Sequence, residues 1–184
     1  MPERLYFTGD DEANALIARD PLALLVGFVL DQQVTVQKAF SGPLELQRRL
    51  GSLDAAAIAG MDRGALERIF AEKPAIHRLP GSMAGRVQDF CAAIASEYGG
   101  RTERVWTDAA DADDLKRRLL ALPGIGAMKA TTIAGVLAKR FGVEVAKPLV
   151  SDRRTLGDVD SAEALDEYQA AKRAHKAALR AARA

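Results

Sequence analysis

The spacing of apolar residues makes this chain a succession of helices with few strand-like alternations and no internal repeat. The run Leu22–Leu30 (LALLVGFVL) is apolar on every side, and such a helix belongs at the centre of a core. Asp20-Pro21 before it supplies an acidic N-cap and a proline suited to the first helical position. The run stops at Asp31-Gln32-Gln33, where polar residues abruptly replace apolar ones. Helix is predicted again from Thr35 to about Leu50, in two pieces broken at Gly42-Pro43 and ended by Gly51. Shorter helices are predicted over Asp54–Ala59 and Asp62–Ala71, the first closed by Gly60. Lys73–Ser82 (KPAIHRLPGS) holds two prolines and a glycine and reads as a loop. Ser82 is then placed to cap a helix that carries Val87, Phe90, Cys91 and Ile94 to Tyr98 before Gly99-Gly100. Further helices are expected over Ala112–Ala121 and Ala127–Phe141, and a capping box at Asp160-Ser161-Ala162-Glu163 opens a terminal one. Phe141–Val159 is the least readable stretch.

Composition narrows the class. With 184 residues, 48% hydrophobic and 28% charged, the chain suits one folded domain, or one with a small lobe, and not a disordered segment. The longest apolar run has nine residues, against about 20 for a spanning helix. The start, MPERLYFTGDD, has early charges and no apolar h-region, so a soluble, cytoplasmic, monomeric protein is expected, with no membrane partner. Cys91 is the single cysteine, which excludes an intramolecular disulfide and any multi-cysteine zinc or iron–sulfur site; mid-helix on an apolar face, it is expected in the core. His77 and His175 are too few and too far apart for a metal pair, and no cofactor is expected.

The net charge of +1 hides an uneven distribution. Between Leu115 and Arg154 nine basic residues face only Glu144 and Asp152, a net +7 that leaves −6 for the rest of the chain. A positive stretch on an otherwise acidic chain suits a polyanion, although a solvated helical face with no ligand has the same composition. The tail run Lys172, Arg173, Lys176, Arg180 and Arg183 is read as solubility for an alanine-rich helix, with cations favoured near its C-terminus.

Inside the positive stretch lies Leu122-Pro123-Gly124-Ile125-Gly126, between two predicted helices. Proline cannot continue the first helix, and both glycines permit positive φ. The amides of Gly124, Gly126 and the first turn of the next helix then point outward, forming with the helix dipole an anion site suited to one DNA phosphate. Leu119, Leu122, Ile125 and Ile133 would lock the two helices together. This is the pattern of a helix-hairpin-helix motif, although a bland interhelical turn could use the same residues.

At these residues the chain resembles the helix-hairpin-helix DNA glycosylase superfamily, the group of endonuclease III and 3-methyladenine DNA glycosylase II. The resemblance lies in LPGIGAMKA (Leu122–Ala130) with the helix after it, and in Val29–Thr35 (VLDQQVT), similar to the glutamine-bearing helix junction of alkyl-base glycosylases. LYFTGD, LDQQV and EKPAIHRLPGSMAGRVQ also resemble stretches of a compact, actinobacterial-type subfamily. The resemblance implies an all-α, two-lobed fold. One lobe would be a helical barrel over residues 21–135, ending in the hairpin motif at about 112–141; the other would come from residues 1–20 and 136–184. The cleft between them would hold a nucleotide flipped from duplex DNA.

A base that leaves the stack leaves a gap to fill. Gln33 matches the family's wedge position, and Gln32 would sit beside it; alternatively both amides cap or bridge helices. Gly124, Ile125, Gly126 and Lys129 complete the expected DNA-binding set. Cleaving the glycosidic bond builds oxocarbenium character on the sugar, which a carboxylate stabilises. The family's aspartate lies beyond its catalytic lysine, whose position here is Met128, and the residues at the matching distance are Ala146, Lys147 and Pro148. Asp152, 24 residues beyond Met128, is the expected acid, with Glu144, Asp158 and Asp31 as alternatives. Met128 cannot form a Schiff base, and Lys129, one position on, is rotated by about 100° toward phosphate or solvent, so monofunctional hydrolysis is expected. His77 and Arg78 either reach the opposite strand or are ordinary loop polarity, and Trp106, Tyr6 and Phe7 either stack on an extruded base or fill the core. The superfamily also allows a monovalent cation on hairpin carbonyls, with no iron–sulfur cluster. Two rivals remain: the same fold binding distorted DNA without catalysis, and an RNA- or protein-binding helical domain in which LPGIG is only a turn.

Overall fold

Side-chain oxygens start most of the helices. In the computed structural model, which describes residues 1–184, there are ten α-helices, two 3-10 turns and no strand. Asp10 caps α1 (Asp11–Arg19), Asp20 caps α2 (Pro21–Leu30) and Thr35 caps α3 (Val36–Leu50). Asp54, Asp62, Asp111 and Ser161 do the same for α4 (Ala55–Ala59), α5 (Arg63–Ala71), α8 (Ala112–Ala121) and α10 (Ala162–Arg183). Each accepts one or two of the amides that a helix start leaves unpaired. The short α7 (Arg104–Thr107), α6 (Pro80–Tyr98) and α9 (Ala127–Phe141) have no such cap. The fold is all-α, as the periodicity predicts.

α2 is the centre. Every residue from Leu22 to Leu30 is buried, and α1, bent 114° from it, packs on it together with α3 and α6. α3 crosses α2 closely because two positions lack a side chain: a Cβ on Gly27 would lie 2.6 Å from Phe40 Cε1, and one on Gly42 would run into Leu30. Phe40 in turn packs edge-on against Phe7 and Phe28, each at 5.0 Å between ring centres. α4 and α5 lie on α6. The other group is α8, α9 and the 3-10 turns Glu144–Leu149 and Leu156–Asp158, the second of which receives α10. One buried apolar cluster runs through both groups, from Leu5 to Leu165. No single helix is long and apolar enough to cross a membrane.

Several details differ from the sequence expectations. α3 is unbroken at Gly42-Pro43: the lost amide costs about 3 kcal/mol in a helix interior, but Val36, Ala39, Phe40, Leu44 and Leu46 are all buried and hold both halves in line. α6 begins at Pro80, the first-turn position proline prefers, so Ser82 caps nothing. Ser161 caps α10 by accepting from Ala164, which leaves Glu163 one position short of a capping box; a box forms instead between Thr155 and Asp158. α1 packs on α2 and α3, and its Ile17 and Ala18 also line an apolar pocket with Trp106, Phe141 and Val143.

Candidate nucleic-acid interface

The bend between α8 and α9 is closed by two 3.2 Å bonds, Leu122 N to Leu119 O and Ile125 N to Leu122 O. Leu119, Leu122, Ile125 and Ile133 are buried beneath it, as the motif requires. Of the two glycines that permit positive φ, Gly124 uses it at φ +83°, whereas Gly126 has φ −91°, open to any residue. Both glycines are exposed. The amides of Gly124, Gly126, Ala127, Met128 and Lys129 have no acceptor in the protein, because the first bond of α9 is Ala130 N to Gly126 O at 2.9 Å. They face an open groove of about 600 Å³ lined by Gln32, Arg86 and hairpin residues, with no carboxylate among them. Uncapped amides and the positive end of the helix dipole suit this groove to an anion.

The α2–α3 junction lies beside the groove. Gln33 sits at φ +57° with its side chain exposed and unbonded, a backbone conformation that costs a non-glycine residue about 1–2 kcal/mol. The strain is held by His77, only 1% exposed, whose Nε2 lies 3.1 Å from Leu30 O and 3.0 Å from Gln32 O. Leu79 N donates to its Nδ1 at 3.0 Å, so Nε2 carries the proton and donates to both carbonyls. Burial lowers the His77 pKa, against the opposing pull of those carbonyl bonds. His77 therefore positions the junction and does not reach out to a ligand. Gln32, beside Gln33, accepts from Arg86 of α6, the bridging alternative.

Beyond Gln33 a cleft of about 770 Å³ opens between this junction and α10. That volume falls within the range of small-ligand pockets, enough for a nucleotide. Its walls are Asp31, Gln33–Val36, Arg78, Met128, Gln169, Lys172, Arg173 and Lys176. The two glutamines Gln37 and Gln169 exchange amide bonds of 3.2 and 2.6 Å and tie α3 to α10 at its floor. Met128, 87% exposed, borders both cleft and hairpin groove, so the two are continuous. Asp31 is the single carboxyl in either wall. Its burial raises the pKa, while Lys172, Lys129 and Lys176 act to lower it, and Asp31 in turn helps burial to raise the Tyr168 phenol. Lys129 does not extend to phosphate or solvent as expected: its Nζ lies 3.4 Å from both Val29 O and Gly124 O, half-buried, and burial lowers its pKa.

Asp152 is exposed, forms no ion pair and lines neither cleft nor groove, so the structure does not bring it to the site. Glu144 pairs with Lys147, and Asp158 with Lys139, which occupies the other two carboxylates considered downstream of the hairpin. Phe7 is core, Tyr6 packs on the core, and Trp106 lies in an apolar pocket with Ile17, Leu24 and Phe141; none lines the cleft. Cys91 is buried as expected, its thiol pushed up to about 12 by burial. No group of three His, Cys, Asp or Glu side chains is arranged to hold a metal.

The charge map also changes. Five of the nine cations between Leu115 and Arg154 are ion-paired: Arg117 and Arg118 with Asp114, Lys139 with Asp158, Lys147 with Glu144, Arg154 with Glu167. Asp114 lies one position before Leu115, outside that stretch. Six cations without an ion pair line the cleft and groove: Arg78, Arg86, Lys129, Lys172, Arg173 and Lys176. The tail run, read from sequence as a solvated helix, supplies half of them. Comparison with protein-family models finds none that matches the chain, and neither a curated protein nor a solved structure matches it.

Proposed function

We propose that this protein binds double-stranded DNA through the hairpin groove and hydrolyses the N-glycosidic bond of a damaged nucleotide turned into the cleft, as a monofunctional DNA N-glycosylase of base-excision repair. One observation carries this function: a row of unpaired hairpin amides, free of acids, opens directly into a cleft that holds one carboxyl. Phosphate contacts at Gly124–Lys129 position the strand without reading sequence. Gln33, unbonded and already in a strained conformation at the cleft edge, fills the space the extruded base leaves. The exposed Met128 is available as an apolar wedge beside it.

Asp31 takes the role first expected of Asp152. Ionised, it stabilises the positive charge that develops at C1′ as the C1′–N bond breaks with its electron pair staying on the base nitrogen, and accepts a proton from the water that forms the new C1′–O bond; that proton then passes to the departing base, which restores the carboxylate. Burial raises the Asp31 pKa, and the surrounding lysines oppose that shift toward the ionised form that this role needs. Lys129 is directed at the Val29 and Gly124 carbonyls, which supports hydrolysis over Schiff-base lyase chemistry. The same contact places a positive charge at the Gly124 carbonyl, so a monovalent cation bound there would have to displace the ammonium.

The test is a panel of lesion duplexes (alkylated, oxidised, deaminated, mismatched), scored for abasic-site formation with wild type and Asp31→Asn. Release of a base by wild type, lost in Asp31→Asn with duplex affinity retained, is expected. Affinity without release from any lesion would instead favour the non-catalytic binder.

A further inference from the structure

Beyond Gln169 every residue of α10 is exposed, so the last four turns of the helix stand clear of the protein. Their charges are not scattered. At 100° per residue, Lys172, Arg173, Lys176, Arg180 and Arg183 fall within an arc of roughly 100°. That arc also contains Leu165, buried against the body, and Gln169, bonded to Gln37. Of the acids, Glu163 and Glu167 lie on the opposite side and Asp166 just beyond the arc's edge, so none falls within it. The cationic stripe therefore continues the face by which α10 meets the rest of the molecule, and its first three members form one wall of the cleft. None of the five is ion-paired, unlike Arg154 beneath the same helix, which meets Glu167. A helix carrying cations for solubility alone has no reason to align them on the side that faces the site.

We propose that the C-terminal half of α10 is a second backbone-binding arm, which lies along the phosphates of the duplex whose distorted strand occupies the cleft and hairpin groove. This rests on the DNA-binding function proposed above and extends it to a surface that neither the hairpin motif nor the resemblance assigns. From Lys172 to Arg183 the stripe is about 16 Å long at 1.5 Å per residue, and B-DNA rises about 3.4 Å per phosphate along one strand. The arm thus spans four or five phosphates. The partner is duplex DNA because the stripe carries no aromatic residue on which unpaired bases could stack.

The test compares wild type with Lys172→Gln/Arg173→Gln/Lys176→Gln, and separately with Arg180→Gln/Arg183→Gln, by binding to a labelled duplex across a salt series. The plot of log affinity against log salt should become shallower by about 0.9 for each phosphate contact removed, hence by about two to three units for the triple variant and up to about two for the double. These side chains are exposed and unpaired, so thermal melting should coincide with wild type and certify folding. Wild-type binding with an unchanged slope in both variants would overturn the arm while leaving the hairpin intact. Absence of duplex binding by wild type at low salt would overturn the arm and the proposed function together.

Discussion

Two glycines two residues apart should fail in opposite ways when each is changed to alanine. Gly124 sits at φ +83°, where an L side chain costs about 1–2 kcal/mol, and its new Cβ would meet Val29 Cγ1 at 3.3 Å, close enough that Val29 must yield slightly. Gly124→Ala should therefore lose about 1–2 kcal/mol, and at about 2–4 °C per kcal/mol for a chain of this size its Tm should fall by about 2–8 °C. Gly126 has φ −91° and nothing within 4 Å of a built Cβ. Losing glycine's freedom in the unfolded chain stabilises by about 0.4–1 kcal/mol, and alanine is a poorer N-cap by a similar amount, so Gly126→Ala should stay within about 0.5 kcal/mol of wild type. Its methyl, however, stands where phosphate must approach the amides of Gly126–Met128. Charge-assisted hydrogen bonds contribute about 1.5–3 kcal/mol each, so blocking even one should weaken duplex affinity at least tenfold. Urea melts and anisotropy with a labelled duplex at one fixed salt concentration read the two quantities separately. A Gly126→Ala protein that binds like wild type would remove the hairpin as the phosphate site; a Gly124→Ala protein as stable as wild type would show that Val29 and the left-handed turn do not constrain each other.

Three further outcomes follow from the packing. Gly27→Ala places a Cβ closer than 3.0 Å to the buried Phe40 ring, and overpacking at this crossing should cost about 3 kcal/mol in urea melts; a loss under 1 kcal/mol would mean that α2 and α3 separate easily. Gln33→Gly relieves the strain at φ +57° and should raise stability by about 1 kcal/mol while weakening preference for an abasic-site duplex over an undamaged one; undiminished preference would count against Gln33 as the gap-filling residue. His77 is held neutral, so on acidification the unfolded chain takes up a proton near pH 6.5 while the folded protein resists. Stability from this group is full above pH 6.5 and falls as pH drops toward the lower folded value; Asp20 and Asp31, raised by burial, act in the opposite direction at lower pH. His77→Gln should flatten that decline in a pH series of melts, and an unchanged decline would place its origin elsewhere.

Much of the helical plan was legible because its causes are local. Seven helix starts are marked by Asp, Ser or Thr caps, and glycines at 51, 99 and 142 mark ends in the left-handed conformation. α1 is not among the predicted helices, although its signals are local too: Asp10 caps it and Ala13, Leu16 and Ile17 are buried at 3–4 spacing. Phe141–Val159 carries no period because its two 3-10 turns are set by contacts with α9, where Gly157 packs directly on the Gly135 backbone. Of the site, the hairpin and Gln33 could be named from sequence. Asp31 could be named only as one of several acids, and the α10 cations were assigned to solubility although their 3–4 spacing was visible.

The order of residues along the chain determined an all-helical protein with an uncapped glycine bend, since caps, breakers and apolar periods act over a few neighbours. Which charges matter was decided only in three dimensions, because an ion pair depends on distance and not on sequence separation. Asp114, Asp158, Glu144 and Glu167 pair with five of the nine cations in the stretch that looks basic on paper. Folding then carries Lys172, Arg173 and Lys176 across some 140 residues of chain to face Asp31, the acid it leaves between junction, hairpin and tail.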